Sequence, residues 1–135
     1  MPIFRLLAID YGEVRVGLAL SDPLQIISSP YKVIKNDENL ISVINDIIKE
    51  KDVGKVVLGL PYNLKGEYSQ KTTEVKVFGD KLEKTLSVPL EYMDERYTTV
   101  EANEELKRLG YSIKDAREVV DKIAASIILK NYLNI

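Results

Sequence analysis

Leu6-Leu7-Ala8-Ile9-Asp10-Tyr11-Gly12, followed by Arg15-Val16-Gly17-Leu18-Ala19-Leu20-Ser21-Asp22, forms the stretch around which the rest of the chain is arranged. The unbroken apolar run Leu6 to Ile9 predicts a strand buried on both faces, which carries one carboxylate, Asp10, at its C-terminal end. Gly12 is expected to take a positive φ, so that the chain turns tightly and returns as a second strand, Arg15 to Ser21, with Asp10 at the rim of the hairpin. Asp10 then either caps the turn through its side chain or serves chemistry at that rim.

The chain has 135 residues, 45% of them hydrophobic, enough for one globular domain with a core of its own. It contains no Cys, Trp or His. Disulfides, thiolate zinc sites, Cys or Ser–His nucleophiles and imidazole bases are thereby excluded, so catalysis falls to carboxylates, Lys, Tyr, Ser/Thr or a hard metal ion. A net charge of −2 argues against non-specific nucleic-acid binding by the surface as a whole and leaves room for a local basic face. The N-terminus lacks a signal-peptide pattern and the longest apolar run, Ile123 to Leu129, is too short to span a bilayer, so a soluble, cytoplasmic protein without membrane contact is expected.

Farther along, Tyr31-Lys32-Val33-Ile34 after Pro30 predicts a third strand completing a meander. Asn36 or Asp37 is placed to cap a helix whose apolar positions Leu40, Ile41, Ile44, Ile47 and Ile48 recur at helical spacing, with Gly54 closing it. Lys55 to Leu60 reads as a fourth, central strand, joined to the first through a right-handed crossover. Pro61 to Tyr68 is a polar loop, after which Ser69 caps a helix with the buried stripe Thr72, Val75, Phe78, Gly79 and Leu82. Its outer face, with Lys71, Lys76, Lys81 and Lys84 among acids, reads as solvated. Val88 to Met93 is a fifth strand, on an edge because of Pro89. Thr98-Thr99-Val100-Glu101 has the spacing of a capping box, which assigns Glu101 to a helix N-terminus. Gly110 stops that helix, and Ser112 caps a last one from Ile113 to about Tyr132. Strand, strand, strand, helix, strand, helix, strand, helices is the order of a mixed five-stranded α/β sheet of ribonuclease-H-like type with helices on both faces, in a single domain covering residues 1–135.

In that topology Asp10, Asp94 and Glu95 reach the same sheet edge. Strand alternation puts Asp94 and Glu95 on opposite faces, and periodicity alone leaves open which one joins Asp10. On the last helix the stripe Ala116, Val119, Val120, Ile123, Ala124 and Ile127 is expected to face the sheet, with Asp121 on the flank, in a row with Ala125, Ile128 and Tyr132. Carboxylates about 5 Å apart repel by about 3 kcal/mol per pair at an effective dielectric near 20. A cation offsets this, and oxygen-only ligands select Mg²⁺ or Mn²⁺, ions suited to phosphodiester hydrolysis.

Four segments in order, Ile9-Asp10-Tyr11-Gly12 with Arg15-Val16-Gly17, then Gly59-Leu60-Pro61-Tyr62-Asn63 with Gly66, then Asp94 to Thr99 with Glu101-Ala102, then Val120-Asp121 with Ala124-Ala125 and Ile128-Leu129, closely resemble the YqgF family. These are Holliday-junction-resolvase-like proteins, described as nucleases for the 5′ end of precursor 16S ribosomal RNA. The resemblance covers essentially the whole chain. It implies the ribonuclease-H-like fold, a cytoplasmic location, a role in ribosome maturation and metal-dependent nuclease activity, with RNA favoured over branched DNA as the nucleic-acid partner. It also implies Asp10, Glu95 and Asp121 as the catalytic and metal-binding acids, with Glu95 preferred to Asp94. Asn63, Lys65 and Arg96 are candidates for phosphate contacts. One departure stands out: in the wider resolvase superfamily the fourth strand ends in an acid beside the first, whereas here it ends in Gly59-Leu60-Pro61. A non-catalytic domain that binds RNA or an assembly partner is the rival reading.

Overall fold

A computed structural model describes residues 3–62, 65–95, 98–111 and 113–135, with the backbone alone at 98–100, 103 and 113–121. The chain runs β1 (Arg5–Tyr11), β2 (Arg15–Ser21), β3 (Ser28–Lys35), α1 (Leu40–Glu50), β4 (Val53–Leu60), α2 (Gln70–Glu83), β5 (Leu90–Asp94), α3 (Thr98–Arg108) and α4 (Ile113–Leu133). The strands form one sheet in the order β3-β2-β1-β4-β5. β1, β2 and β3 are an antiparallel meander, whereas β4 and β5 pair in parallel beside β1. The first strand is therefore central, as its apolar run requires.

Leu6, Leu7, Ala8 and Ile9 are all buried because each face of β1 has its own cover. Leu7 and Ile9 pack with Ile44 and Ile47 of α1 and with Val75, Phe78 and Leu82 of α2. Leu6 and Ala8 pack with Ala125, Ile128 and Leu129 of α4. Each large side chain removed from water here contributes about 1.5–3 kcal/mol, so these two layers hold the strand ends in place. The buried positions of α2 are Thr72, Val75, Phe78, Gly79 and Leu82, the stripe its spacing predicts, and the helix is capped by Ser69, whose side chain accepts a bond from the Thr72 N–H. Among the described residues no helix is long and apolar enough to cross a membrane.

Several local expectations change. Gly12 does not take a positive φ. It is required by close approach, because a Cβ there would collide with the Arg15 carbonyl. Asn36 caps nothing: its side-chain amide donates to the Gly12 carbonyl at 2.7 Å and so braces the β1–β2 turn, while Asp37 Oδ1 accepts the Asn39 N–H at 2.9 Å just before α1. Asp52, with φ 54°, makes the left-handed turn between α1 and β4 that was expected of Gly54. β3 begins at Ser28 and includes Pro30, tolerated because β3 is an edge strand with a register shift beside it, between Leu18 and Ala19 of β2.

The stripes of α4 also differ. Ala124 and Ile127 pack on Ala102 of α3, with Ile123 alongside, while Ala125, Ile128, Leu129 and Tyr132 cover the sheet. A helix buried against two partners carries two apolar stripes, and spacing alone does not say which partner takes which. The last turn of α4 is anchored by Tyr132, whose hydroxyl donates to Glu91 Oε2 at 2.6 Å and accepts from Lys55 Nζ at 3.1 Å. Lys55 and Glu91 lie near the starts of β4 and β5, so α4 runs antiparallel to these strands and its N-terminal part extends toward their C-terminal ends.

Candidate active site

The alternation established by the core carries directly to the acids. Leu6 and Ala8 face α4, and Asp10 has the same parity at the end of β1. On β5, Met93 packs in the α4 layer and Tyr92 in the α1–α2 layer. Glu95 follows the parity of Met93, and its N–H extends the ladder by donating to the Leu60 carbonyl at 3.2 Å. Asp94, the alternative, follows Tyr92 to the opposite face and is exposed. Asp10 and Glu95 thus share one face and one edge, on strands separated only by β4.

Between them stands Gly59. A Cβ at this position would lie 2.7 Å from Glu95 Oε2 and 2.5 Å from Ile128 Cδ1. The space above β4 is thus filled by the Glu95 carboxyl, reaching in from β5, with Ile128 of α4 closing it from above. The absence of a side chain at Gly59 is what admits that carboxyl. Replacing Gly59 with Ala is expected to cost about 1–3 kcal/mol, since both neighbours must move. Urea titration checks this, and a variant with the midpoint of the parent would show that Glu95 is not held over β4.

Burial pushes the Glu95 carboxyl up to about 9, helped by the charge of Asp10 and by a side-chain hydrogen bond between the two. Lys71 draws it down and Asp94 adds a smaller upward push. At neutral pH one proton is therefore held within the pair, the behaviour of two carboxyls that cannot both ionise. Lys71 was assigned to the solvated face of α2. It lies in the first turn of that helix, which starts at the edge where β4 ends, and its Nζ is 5.8 Å from the Tyr11 ring centre. The signal for it was topological: a helix that follows a strand and a loop begins at the strand's C-terminal edge.

Asp121 lies on α4 seven residues before Ile128. Seven residues are about 10 Å along a helix, in the direction of the edge where β1, β4 and β5 end. Its side chain, and residues Asn63 and Arg96 altogether, lie outside the described residues. Lys65 is exposed in the loop that leaves β4, and Glu101 is exposed in the first turn of α3. Among the described residues no group of three His, Cys, Asp or Glu side chains gathers in metal-binding range. Asp10 and Glu95 nonetheless fit a hard divalent cation: both are oxygen donors, their side chains are within hydrogen-bonding reach of each other, and the mutual repulsion that raises Glu95 is what a cation would offset.

The family model described as "RuvX: Holliday junction resolvase" matches residues 4–135. A Dictyoglomus turgidum protein named "Putative pre-16S rRNA nuclease" is 38% identical over 132 residues, covering 96% of this chain and 94% of its own. A Maridesulfovibrio salexigens protein of the same name is 39% identical over 131 residues, covering 96% and 97%. Among solved structures, RuvC of T. thermophilus in complex with a Holliday junction substrate superposes with a TM-score of 0.60 at 12% identity, covering 97% of this chain and 96% of that one. The Fowlpox virus resolvase bound to Holliday junction DNA gives 0.60 at 12% identity, covering 97% of each chain. These likenesses establish the ribonuclease-H-like fold already traced from the sheet order and the cover on its two faces. The relatives' identity over nearly the whole length, together with the family match, establishes that this chain belongs to the RuvX family, the YqgF group that its four motifs resemble.

Proposed function

We propose that the chain acts as its family does, as a nuclease, and that it is a metal-dependent phosphodiester hydrolase working at the 5′ end of precursor 16S ribosomal RNA. The observation that carries this reading is the Asp10–Glu95 pair, two carboxyls hydrogen-bonded to each other at the end of the sheet, with the Glu95 carboxyl reaching in over Gly59. The names of the full-length relatives support the RNA substrate. Asp10 and Glu95 would hold the cation, Mg²⁺ or Mn²⁺, with Asp121 supplied by α4 as the third acid. When bound, such a cation offsets the paired charge and supplies Lewis acidity toward the phosphoryl group.

The chain's own contribution is pre-organisation. Gly59 leaves the space that lets Glu95 reach Asp10, Ile128 excludes water from above the pair, and Lys71 adds positive potential at the edge where a phosphate approaches. Lys65, Asn63 and Arg96 are proposed as phosphate contacts from the same edge. A reaction on a ribosomal RNA precursor places the protein in the cytoplasm. Cleavage of branched DNA is the second reading, favoured by the family's description as resolvases.

The test offers purified protein a precursor 16S fragment and a four-way DNA junction, each with Mn²⁺ and with EDTA. Metal-dependent cleavage of the RNA is expected, faster than that of the junction; cleavage of neither would leave only a binding function. Calorimetry with Mn²⁺ is expected to show a rise in Tm, since a ligand of the folded state alone stabilises it by RT ln(1 + [L]/Kd). Asp121→Asn is expected to shrink that rise, and an undiminished rise would remove Asp121 from the site.

A further inference from the structure

We propose that Tyr68, held by Tyr62 and Lys76, is a stacking platform for an unpaired base of a single-stranded nucleic acid. This rests on the reading of the chain as a nuclease and specifies the form of substrate taken. After β4, Tyr62 pairs with Tyr68 in an antiparallel bridge, with Gly66 in the left-handed region at φ 81°. The two rings meet at 5.6 Å between centres, tilted by 52°. Tyr62 packs against the core, whereas Tyr68 remains 58% exposed. Lys76 of α2 makes a side-chain hydrogen bond with Tyr68, its Nζ lying 5.4 Å from the Tyr68 ring centre and 5.3 Å from that of Tyr92.

An aromatic ring left in water yet fixed by a backbone bridge, a tilted neighbour and a lysine has little conformational freedom left to lose when something stacks on it. A ring with a cation beside it is the combination that recognises single strands, because every base has a π face and every linkage a negative charge. A duplex keeps its base faces stacked inside and offers only its edges and backbone, so the ring selects unpaired bases. Tyr62 stands two residues after Leu60, whose carbonyl receives the Glu95 N–H, while Lys76 lies over Tyr92 on the α1–α2 side of the sheet, so the platform is joined to the carboxyl site through the end of β4 and does not line it.

The experiment measures fluorescence anisotropy of a labelled single-stranded RNA, a blunt duplex of the same sequence, and the single strand with abasic sites, all in EDTA so that cleavage does not intervene. The parent is expected to prefer the single strand and to lose that preference on the abasic strand. Tyr68→Leu keeps bulk and removes the π face, so single-strand binding should weaken between about five-fold and a hundred-fold, with duplex binding unchanged and Tyr68→Phe behaving like the parent. Equal binding of single strand and duplex by the parent, or a Tyr68→Leu variant that binds the single strand as the parent does, overturns the proposal. Failure of metal-dependent cleavage defeats the nuclease reading separately, since binding is read without metal.

Discussion

Asp10→Asn is expected to reduce metal-dependent cleavage by about a thousand-fold or more, equivalent to ~4 kcal/mol of lost transition-state stabilisation. The substitution keeps shape and hydrogen-bonding capacity and removes one charge, at a residue on the central strand next to Glu95. The same variant should show little or no rise in Tm on adding Mn²⁺. Stability in EDTA should not fall, because Asn at this position no longer repels the neighbouring carboxyl and can still bond to it. This combination separates a ligand from a structural acid: a turn-capping Asp10 would lose stability on replacement and leave the Mn²⁺ shift intact. A variant that cleaves at the parent's rate would falsify the assignment of Asp10 to catalysis.

Glu95 makes the second large effect, and its sign follows from its raised proton affinity. The side chain ionises near its ordinary 4.5 in the unfolded chain and at about 9 in the folded one. Between those values the folded state holds a proton that the unfolded state has released, so stability falls as pH rises. Below 4.5 the contribution is fully favourable, and above about 9 the loss is complete. In EDTA the total change is expected to reach a few kcal/mol, read as a falling urea midpoint from pH 5 toward pH 9. Glu95→Gln should flatten that dependence and be more stable than the parent at pH 8, while losing cleavage. A parent whose stability is level through this range would show that the pair does not hold its proton. Acids that stabilise the fold by ion pairing shift the other way: the Glu91 carboxyl, bonded by Tyr132 and Lys55, is held below the ordinary range.

The amino-acid order by itself determined the element sequence, the central place of β1, the five buried positions of α2, and the absence of His and Cys from any donor set. These are local matters. An apolar run of strand length, a helical spacing or the absence of His and Cys reads the same whatever the rest of the chain does. Asp10 was legible for the same reason, as an acid at the end of a strand too apolar to lie anywhere but the centre. The choice between Glu95 and Asp94 was not, because period-two alternation says that they differ in face and nothing about which face is which. That was decided when Met93 met α4 and Tyr92 met Gly79 of α2 across the sheet. Gly59 belongs with it: a missing side chain has meaning only once a carboxyl from another strand occupies its space. Lys71 and the two stripes of α4 were likewise settled by partners far away in sequence, since a helix face acquires a role only from what is packed against it or left open.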